Sequence, residues 1–452
     1  MDKEFNLIQY LTTQRSKGVI IWLCNIGAEK YWSNMNTGVI DRNEDVIVNR
    51  IEEMNLLICR EQDVIILRKS PDKEYLDILK KMGYSIPRIL TPKNADLLTP
   101  ISELVQKDIE LIEELKNIAA QSEDVYFSPY AVTYMEEKIA EMAGLKILGA
   151  PSQIGAKVND KIFNREVSEE LGFAVCQGKV CYSIDEIREE YEKLTNSQPY
   201  FKKVIIKEPN GASGKGLYVI SDKEKLESNL RVIARFARKR PDSKWLVEGW
   251  YEKKADLNYQ IYISPNGTVD VFSIKQQLLN DTVYIGSKIP PDLDEEILNF
   301  YKQYGEKIGK YLFEIGYTGV AGIDSIITTD DVIIPIIEIN GRFTLSTYIS
   351  FLNNQLKDVK ILSRYFRLIS EKSVSYEELI KQIDKKGALL KPEGREGVFV
   401  YTSGTLPTVL LEGQDKYMGR VFAFIASDNW DRIEDYNSKL DDIIQNISLT
   451  RA

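Results

Sequence analysis

The sequence predicts a mixed protein, with an α/β layer in its first third, a strand-rich α+β region in its middle and a small mixed segment at its end. Three observations carry this. Apolar runs of strand length alternate with helical patterns early in the chain, as in "GVIIWLCNIG" and "KEYLDILKKMGY", the order expected of a parallel sheet covered by helices. Strand signals dominate from Phe201 to about Phe351, interrupted by the helical "DEEILNFYKQYGEKIGKYLFEIG". The strand-like "GVFVYTS" and "VFAFIAS" then precede a terminal helix near "DRIEDYNSKLDDIIQ". A chain of 452 residues suggests roughly three domains.

Composition removes many function classes. With 43% hydrophobic and 28% charged residues the chain reads as globular rather than disordered or fibrous. A net charge of -9 argues against a nucleic-acid partner. No run reads as a membrane span, and "MDKEFNLIQYLTTQRSKG" lacks the apolar core of a secretory signal, so the cytoplasm is expected. Cys24, Cys59, Cys176 and Cys181 are too few and scattered for a disulfide framework and are expected as buried thiols. The chain has no histidine, which excludes Ser-His-Asp and Cys-His nucleophiles and the histidine-based metal sites. Chemistry must run on carboxylates, lysine, arginine, hydroxyls and a hard metal.

In chain order, "TPISELVQKDIELIEELKNIAAQ" predicts one long packing helix, with Ile101, Leu104, Val105, Ile109, Ile112 and Leu115 near a helical period. "NDKIFNREVSEELG" predicts a capped helix with Phe163, Val167 and Leu171 on one face and Lys161 in its first turn. Lys161 is either a solvated surface charge or a contact to a phosphate at that helix end.

The stretch "VIIKEPNGASGKGLYVI" fails two nucleotide templates. As a P-loop it has Pro209 where the first glycine belongs and Gly216 in place of the magnesium-binding hydroxyl. As a dinucleotide fingerprint it lacks the third glycine. "LYVI" is a strand, so the glycines form a hairpin tip: a solvated turn, or a lid whose backbone amides close over phosphates beside Lys207.

"TGVAGIDSIITTDDVIIPIIEINGRFTLST" reads as two strands about a turn near Asp330 and Asp331. Centring the hairpin on residue 331 places Asp324 opposite Glu338, with Asn340 on the same face. Two facing carboxylates repel and call for a cation; either they face solvent or pair with Arg342, or with an amide oxygen they suit Mg²⁺ shared with phosphates. Between these pieces, Glu248-Gly249-Trp250 offers backbone groups for an adenine and a flat wall, and Asp256 offers a carboxylate to ribose hydroxyls. Taken singly, Trp250 reads equally as core and Asp256 as a surface charge.

The ordered set of Lys161, Lys207, Gly211 to Gly216, Glu248, Asp256, Asp324 and "EINGR" resembles the ATP-grasp ligase superfamily over about residues 150 to 355. The resemblance implies a Rossmann-like pre-ATP-grasp domain over 1–150, an ATP-grasp domain of two subdomains gripping ATP over 151–365, and a C-terminal extension over 366–452. It implies ATP and Mg²⁺ as cofactors. Lys161, Lys207, Gly211, Ser213, Gly214 and Gly216 would contact phosphates, Glu248 and Trp250 the adenine, and Asp256 the ribose, although the family more often has Glu at shorter spacing. Asp324, Glu338 and Asn340 would hold magnesium. Arg342 would steady the transferred phosphoryl group, and Lys275 would be a further phosphate or carboxylate contact. The implied reaction joins a small carboxylate to an amine through an acyl phosphate, as in natural-product peptide ligases. An acyl carrier protein as acceptor and a non-catalytic ATP-binding scaffold are the alternatives, and a homodimer is the candidate assembly. "RVIARFARKR" is expected as an exposed helix face.

Overall fold

The computed structural model describes residues 18–32, 42–121, 124–198, 200–211, 216–238, 243–280, 283–351, 356 and 359–449. The N-terminal layer is a sheet of β1 (Val19–Leu23), β2 (Val64–Ile66), β3 (Arg88–Leu90), β4 (Val125–Pro129) and β5 (Lys146–Ile147), ordered β3-β2-β1-β4-β5. Every pairing is parallel. Ile20 and Trp22 enter one core while Ile21 and Leu23 enter another. Both faces of β1 are therefore covered, which is why its sequence is continuously apolar rather than alternating.

The long helix expected from residue 101 is two helices, Ile101–Lys107 and Ile109–Ala119. Asp108 between them is extended, and its carboxylate accepts from the Leu111 amide at 3.0 Å. An aspartate that bonds nearby backbone favours a cap over a helix interior. The break turns Ile109, expected on the packing face, out to 76% exposure.

A small antiparallel sheet follows, with β6 (Gly178–Cys181), β7 (Val204–Lys207), β8 (Leu217–Ile220) and β9 (Trp245–Gly249) in the order β6-β9-β7-β8. The β7–β8 hairpin carries the glycine stretch, as the sequence predicts. Helices Ile184–Asn196 and Lys223–Ala237 cover one face, and Arg231 and Arg235 of the second are exposed, as expected.

The large sheet contains β10 (Lys253–Ile263), β11 (Val269–Asn280), β12 (Val283–Ile289), β13 (Gly319–Thr328), β14 (Ile333–Asn340), β15 (Lys360–Ser370), β16 (Gly397–Val400) and β17 (Tyr417–Ser427). Its order is β14-β13-β10-β11-β12-β15-β17-β16. Helix Glu295–Glu314 lies so close to β11 that a Cβ on Gly305 or Gly309 would meet Val271 at 2.5 Å or Val269 at 2.4 Å. The contact explains two glycines inside a helix, where they otherwise cost stability.

The boundary placed between residues 365 and 366 is corrected here. It cuts through β15, which pairs with both β12 and β17, so the C-terminal segment extends the large sheet. That segment also grips the N-terminal layer. Tyr75 donates to the Tyr401 carbonyl at 2.7 Å, and Glu53 accepts from the Ser403 and Gly404 amides at 2.6 and 2.9 Å. All four cysteines are buried and free. Among the described residues no helix is long and apolar enough to cross a membrane.

Candidate active site

The β13–β14 hairpin turns at Asp331, which adopts a left-handed φ of 61°. Asp324 pairs with Glu338 and Gly322 with Asn340, so the three polar side chains share a face in the register the sequence predicts. Asp324 accepts from Asn258 at 2.8 Å, Gln277 at 2.9 Å and Asn340 at 3.3 Å. Burial first, and then the neighbouring Glu338, push its carboxyl up to about 7. Ionising both carboxyl groups therefore calls for a positive partner beside these amide donors.

Part of the balance comes from Lys161. Asp160 caps its helix, Lys161–Glu170, by accepting from the Ile162 and Phe163 amides. The Lys161 Nζ donates to Glu338 at 2.7 Å and to the Gly211 carbonyl at 2.8 Å. At 3% exposure Lys161 is no solvated surface lysine. Gly216, with a φ of 77°, opens the return strand; Ser213 and Gly214 lie outside the described residues. Two carboxylates and an amide fit Mg²⁺, which takes few protein ligands and completes its shell with phosphates and water. Among the described residues no group of three or more Cys, Asp or Glu side chains offers a competing metal site.

Lys207 ends β7, and its Nζ lies 2.6 Å from Glu248 Oε2. Burial alone would lower its ammonium, but Glu248, with Cys176 and Glu338, more than offsets this and holds it above the usual lysine range. The other Glu248 oxygen accepts from Arg165 Nη1 at 3.0 Å. Arg165 was missed by sequence reasoning, although it stands one helical turn after Lys161, a spacing that places both on one face.

At the expected adenine hinge two backbone amides are already engaged within the fold. The Gly249 amide already bonds the Gln177 carbonyl and the Trp250 amide the Lys203 carbonyl, each at 2.9 Å. The Glu248 side chain belongs to the ion cluster. Trp250 is half-buried rather than core, with Lys253 Nζ 5.4 Å from its ring centroid. Lys253 also pairs with Asp256 at 2.7 Å, which sets the expected adenine wall and ribose acid side by side.

Arg342 leaves β14 toward the N-terminal layer. Its Nε is 2.9 Å from Glu29 Oε1, and its Nη1 donates to Tyr130 Oη at 2.9 Å. Burial opposes its charge, but Tyr130, Glu29, Glu338 and Asp324 together hold the guanidinium firmly protonated. Glu29 and Tyr130 were also missed; their signal is position, since both follow the carboxyl ends of parallel strands.

Lys275 departs from expectation. It stands in a cross-strand row with Asn258, Asp324 and Glu338, yet it is fully buried. Its Nζ donates to the Ser346 carbonyl at 2.7 Å and to Ser350 Oγ at 2.5 Å. Burial pulls its ammonium well below the usual range. In this arrangement it braces the helix Leu345–Ser350.

Comparison with known proteins agrees with this layout. Residues 51–145 match the Pre ATP-grasp domain family and residues 166–344 the ATP-grasp domain family. A "[Butirosin acyl-carrier protein]--L-glutamate ligase" of Niallia circulans is 29% identical over 335 residues, 73% of either chain. Among solved structures, an ADP complex of N5-carboxyaminoimidazole ribonucleotide synthetase aligns with a TM-score of 0.54 at 14% identity, covering 95% of this chain and 97% of that one. A biotin carboxylase from Campylobacter jejuni aligns at 0.55 and 12% identity, covering 96% and 91%. At these identities the structures share the fold alone.

Proposed function

We propose, for a chain that belongs to the ATP-grasp ligases, that ATP converts a small carboxylate to an acyl phosphate, which an amine displaces to give an amide, ADP and phosphate. The observation that carries this reading is the facing pair Asp324 and Glu338 with Asn340 beside it, closed by Lys161. Phosphoryl transfer rests on positioning and electrostatic stabilisation rather than on a protein nucleophile, which suits a chain without histidine.

Lys161 and Lys207 neutralise the phosphate chain, and Trp250 flanks the base. Asp324, Glu338 and Asn340 hold Mg²⁺, which when bound offsets charge on the phosphates and polarises the transferred group. Arg342 stands on the same hairpin, where it takes the phosphoryl oxygens or the activated carboxyl group.

The substrates we favour are amino acids or peptides, joined in the cytoplasm in a natural-product pathway. The ligase of Niallia circulans supports a second reading, in which L-glutamate is loaded onto a carrier protein. A non-catalytic scaffold would have no need to keep the whole set of Asp324, Glu338, Asn340 and Arg342.

The test is ADP and phosphate release from ATP and Mg²⁺ against pooled amino acids, peptides and small carboxylic acids, with mass spectrometry of the mixture. A condensed product supports the ligase and names its substrates. ATP binding without release in any pool contradicts the small-molecule reading.

A further inference from the structure

Asp324 is the end of a buried chain of hydrogen bonds that begins outside the β13–β14 hairpin. Its Oδ1 accepts from Asn258 Nδ2 at 2.8 Å and from Gln277 Nε2 at 2.9 Å. Asn258 Oδ1 accepts from Gln260 Nε2 at 2.6 Å, and Gln260 Oε1 accepts from the Thr347 hydroxyl at 2.7 Å. Thr347 Oγ1 in turn accepts from the Thr344 amide at 2.9 Å, where the two threonines form the capping box of the helix Leu345–Ser350. Asn258, Gln260 and Thr347 are all buried, so a lost link would leave a polar group unpaired.

The direction of this chain is fixed at both ends. A carboxylate only accepts and a backbone amide only donates, so each side-chain amide between them has one permitted orientation. Asn258 and Gln260 stand two residues apart on β10 and share a face of the sheet. Gln260 pairs with Gly322 on β13, which pairs on its other side with Asn340. A Cβ on Gly322 would lie 2.6 Å from Gln260 Nε2 and 3.0 Å from Thr344 Cγ2. The absent side chain therefore leaves the space in which the Gln260 amide meets the helix.

Two donors on Oδ1 fix the plane of the Asp324 carboxylate. Its Oδ2 is left beside Asn340, whose Nδ2 donates to it at 3.3 Å, and this orientation frees the Asn340 carbonyl oxygen as a ligand. We propose that Asn258 and Gln260 are positioning residues for the metal: they hold Asp324 with one oxygen engaged and the other presented, and they anchor that orientation through Thr347 in the first turn of the helix Leu345–Ser350. This rests on the metal assignment above. Partners that orient a metal-binding carboxylate change metal affinity by about 10–100-fold when removed.

Mn²⁺ binding to the full chain at saturating ADP, read from the electron paramagnetic resonance of free Mn²⁺, tests this without turnover. Gln260→Met removes both amide links at similar volume and is expected to weaken Mn²⁺ binding by about tenfold, with circular dichroism and metal-free ADP affinity unchanged. Thr347→Val, which stands three hydrogen bonds from the carboxylate, is expected to shift Mn²⁺ affinity in the same direction by a smaller factor. Thr347→Ser keeps the hydroxyl and should bind Mn²⁺ as wild type does. Mn²⁺ affinity unchanged in Gln260→Met and Thr347→Val would reduce the chain to packing and overturn the proposal, as would equal losses in Thr347→Val and Thr347→Ser. Should Gln260→Met not fold, the two Thr347 variants decide. A wild type that binds ADP but no Mn²⁺ removes the metal assignment itself, and this role with it.

Discussion

Asp324 and Glu338 face each other at the distance at which like charges repel, so each should be dispensable for folding but not for turnover. Asp324→Asn and Glu338→Gln are expected to lower ATP-dependent product formation by about 10²–10³-fold, the scale of losing one preorganised electrostatic contact. Circular dichroism should stay wild-type, and full activity in either variant would remove the metal assignment. Lys275→Met takes away an uncompensated buried amine and two hydrogen bonds. If Lys275 is a brace, turnover stays within about twofold of wild type, whereas loss on the scale of a catalytic contact would restore it to the site. At this scale the sequence was informative wherever local geometry decides the outcome. Asp324 and Glu338 could be paired because strand periodicity and one turn fix their register. Nothing local shows that Arg342 meets Glu29, since those residues follow strands of different sheets, or that Lys275 is sealed beneath Ser346 and Ser350.

Among the elements, the helix Lys161–Glu170 ties the two sheets of the grasp together. Lys161 reaches Glu338 on β14 and Arg165 reaches Glu248 on β9, which in turn holds Lys207. Arg165 therefore reaches Lys207, the proposed phosphate contact, through another side chain. Arg165→Gln is expected to weaken ADP binding by about tenfold, or ~1.4 kcal/mol, and to leave adenosine affinity unchanged, as read by calorimetric titration. An equal loss for both ligands would make Arg165 a general support of the fold. Element positions were largely legible: the β7–β8 hairpin, the capped helix at Lys161 and the β13–β14 pair all follow from apolar period and turn residues. The break at Asp108 was not, because an aspartate in a long apolar period reads equally as an exposed helix position or as a cap.

Across the whole molecule, one core runs from Ile20 to Ile444 and joins the N-terminal layer to the C-terminal strands. This could not be read from sequence, since β15 looks like any half-buried strand and its partners, β12 and β17, are remote in the chain. A buried cluster sits at that junction. Glu52 accepts from the Arg68 amide at 2.8 Å, and its carboxyl is pushed up to about 8 by burial, against the opposing pull of Arg50 and Arg68. The folded chain thus binds this proton more tightly than the unfolded one. The associated stability is complete below the ordinary value of 4.5 and is lost as pH rises through about 8. Glu52→Gln should accordingly raise Tm relative to wild type more at pH ~9 than at pH ~6; a pH-independent difference would contradict this.

The central claim is that the carboxylate is activated as an acyl phosphate. The direct measurement follows isotopically heavy oxygen from the carboxyl groups of the substrate, beginning with L-glutamate, into the phosphate released during turnover. The account predicts one heavy oxygen in each phosphate, with ADP as the only nucleotide product. Unlabelled phosphate, or AMP with pyrophosphate, would contradict it.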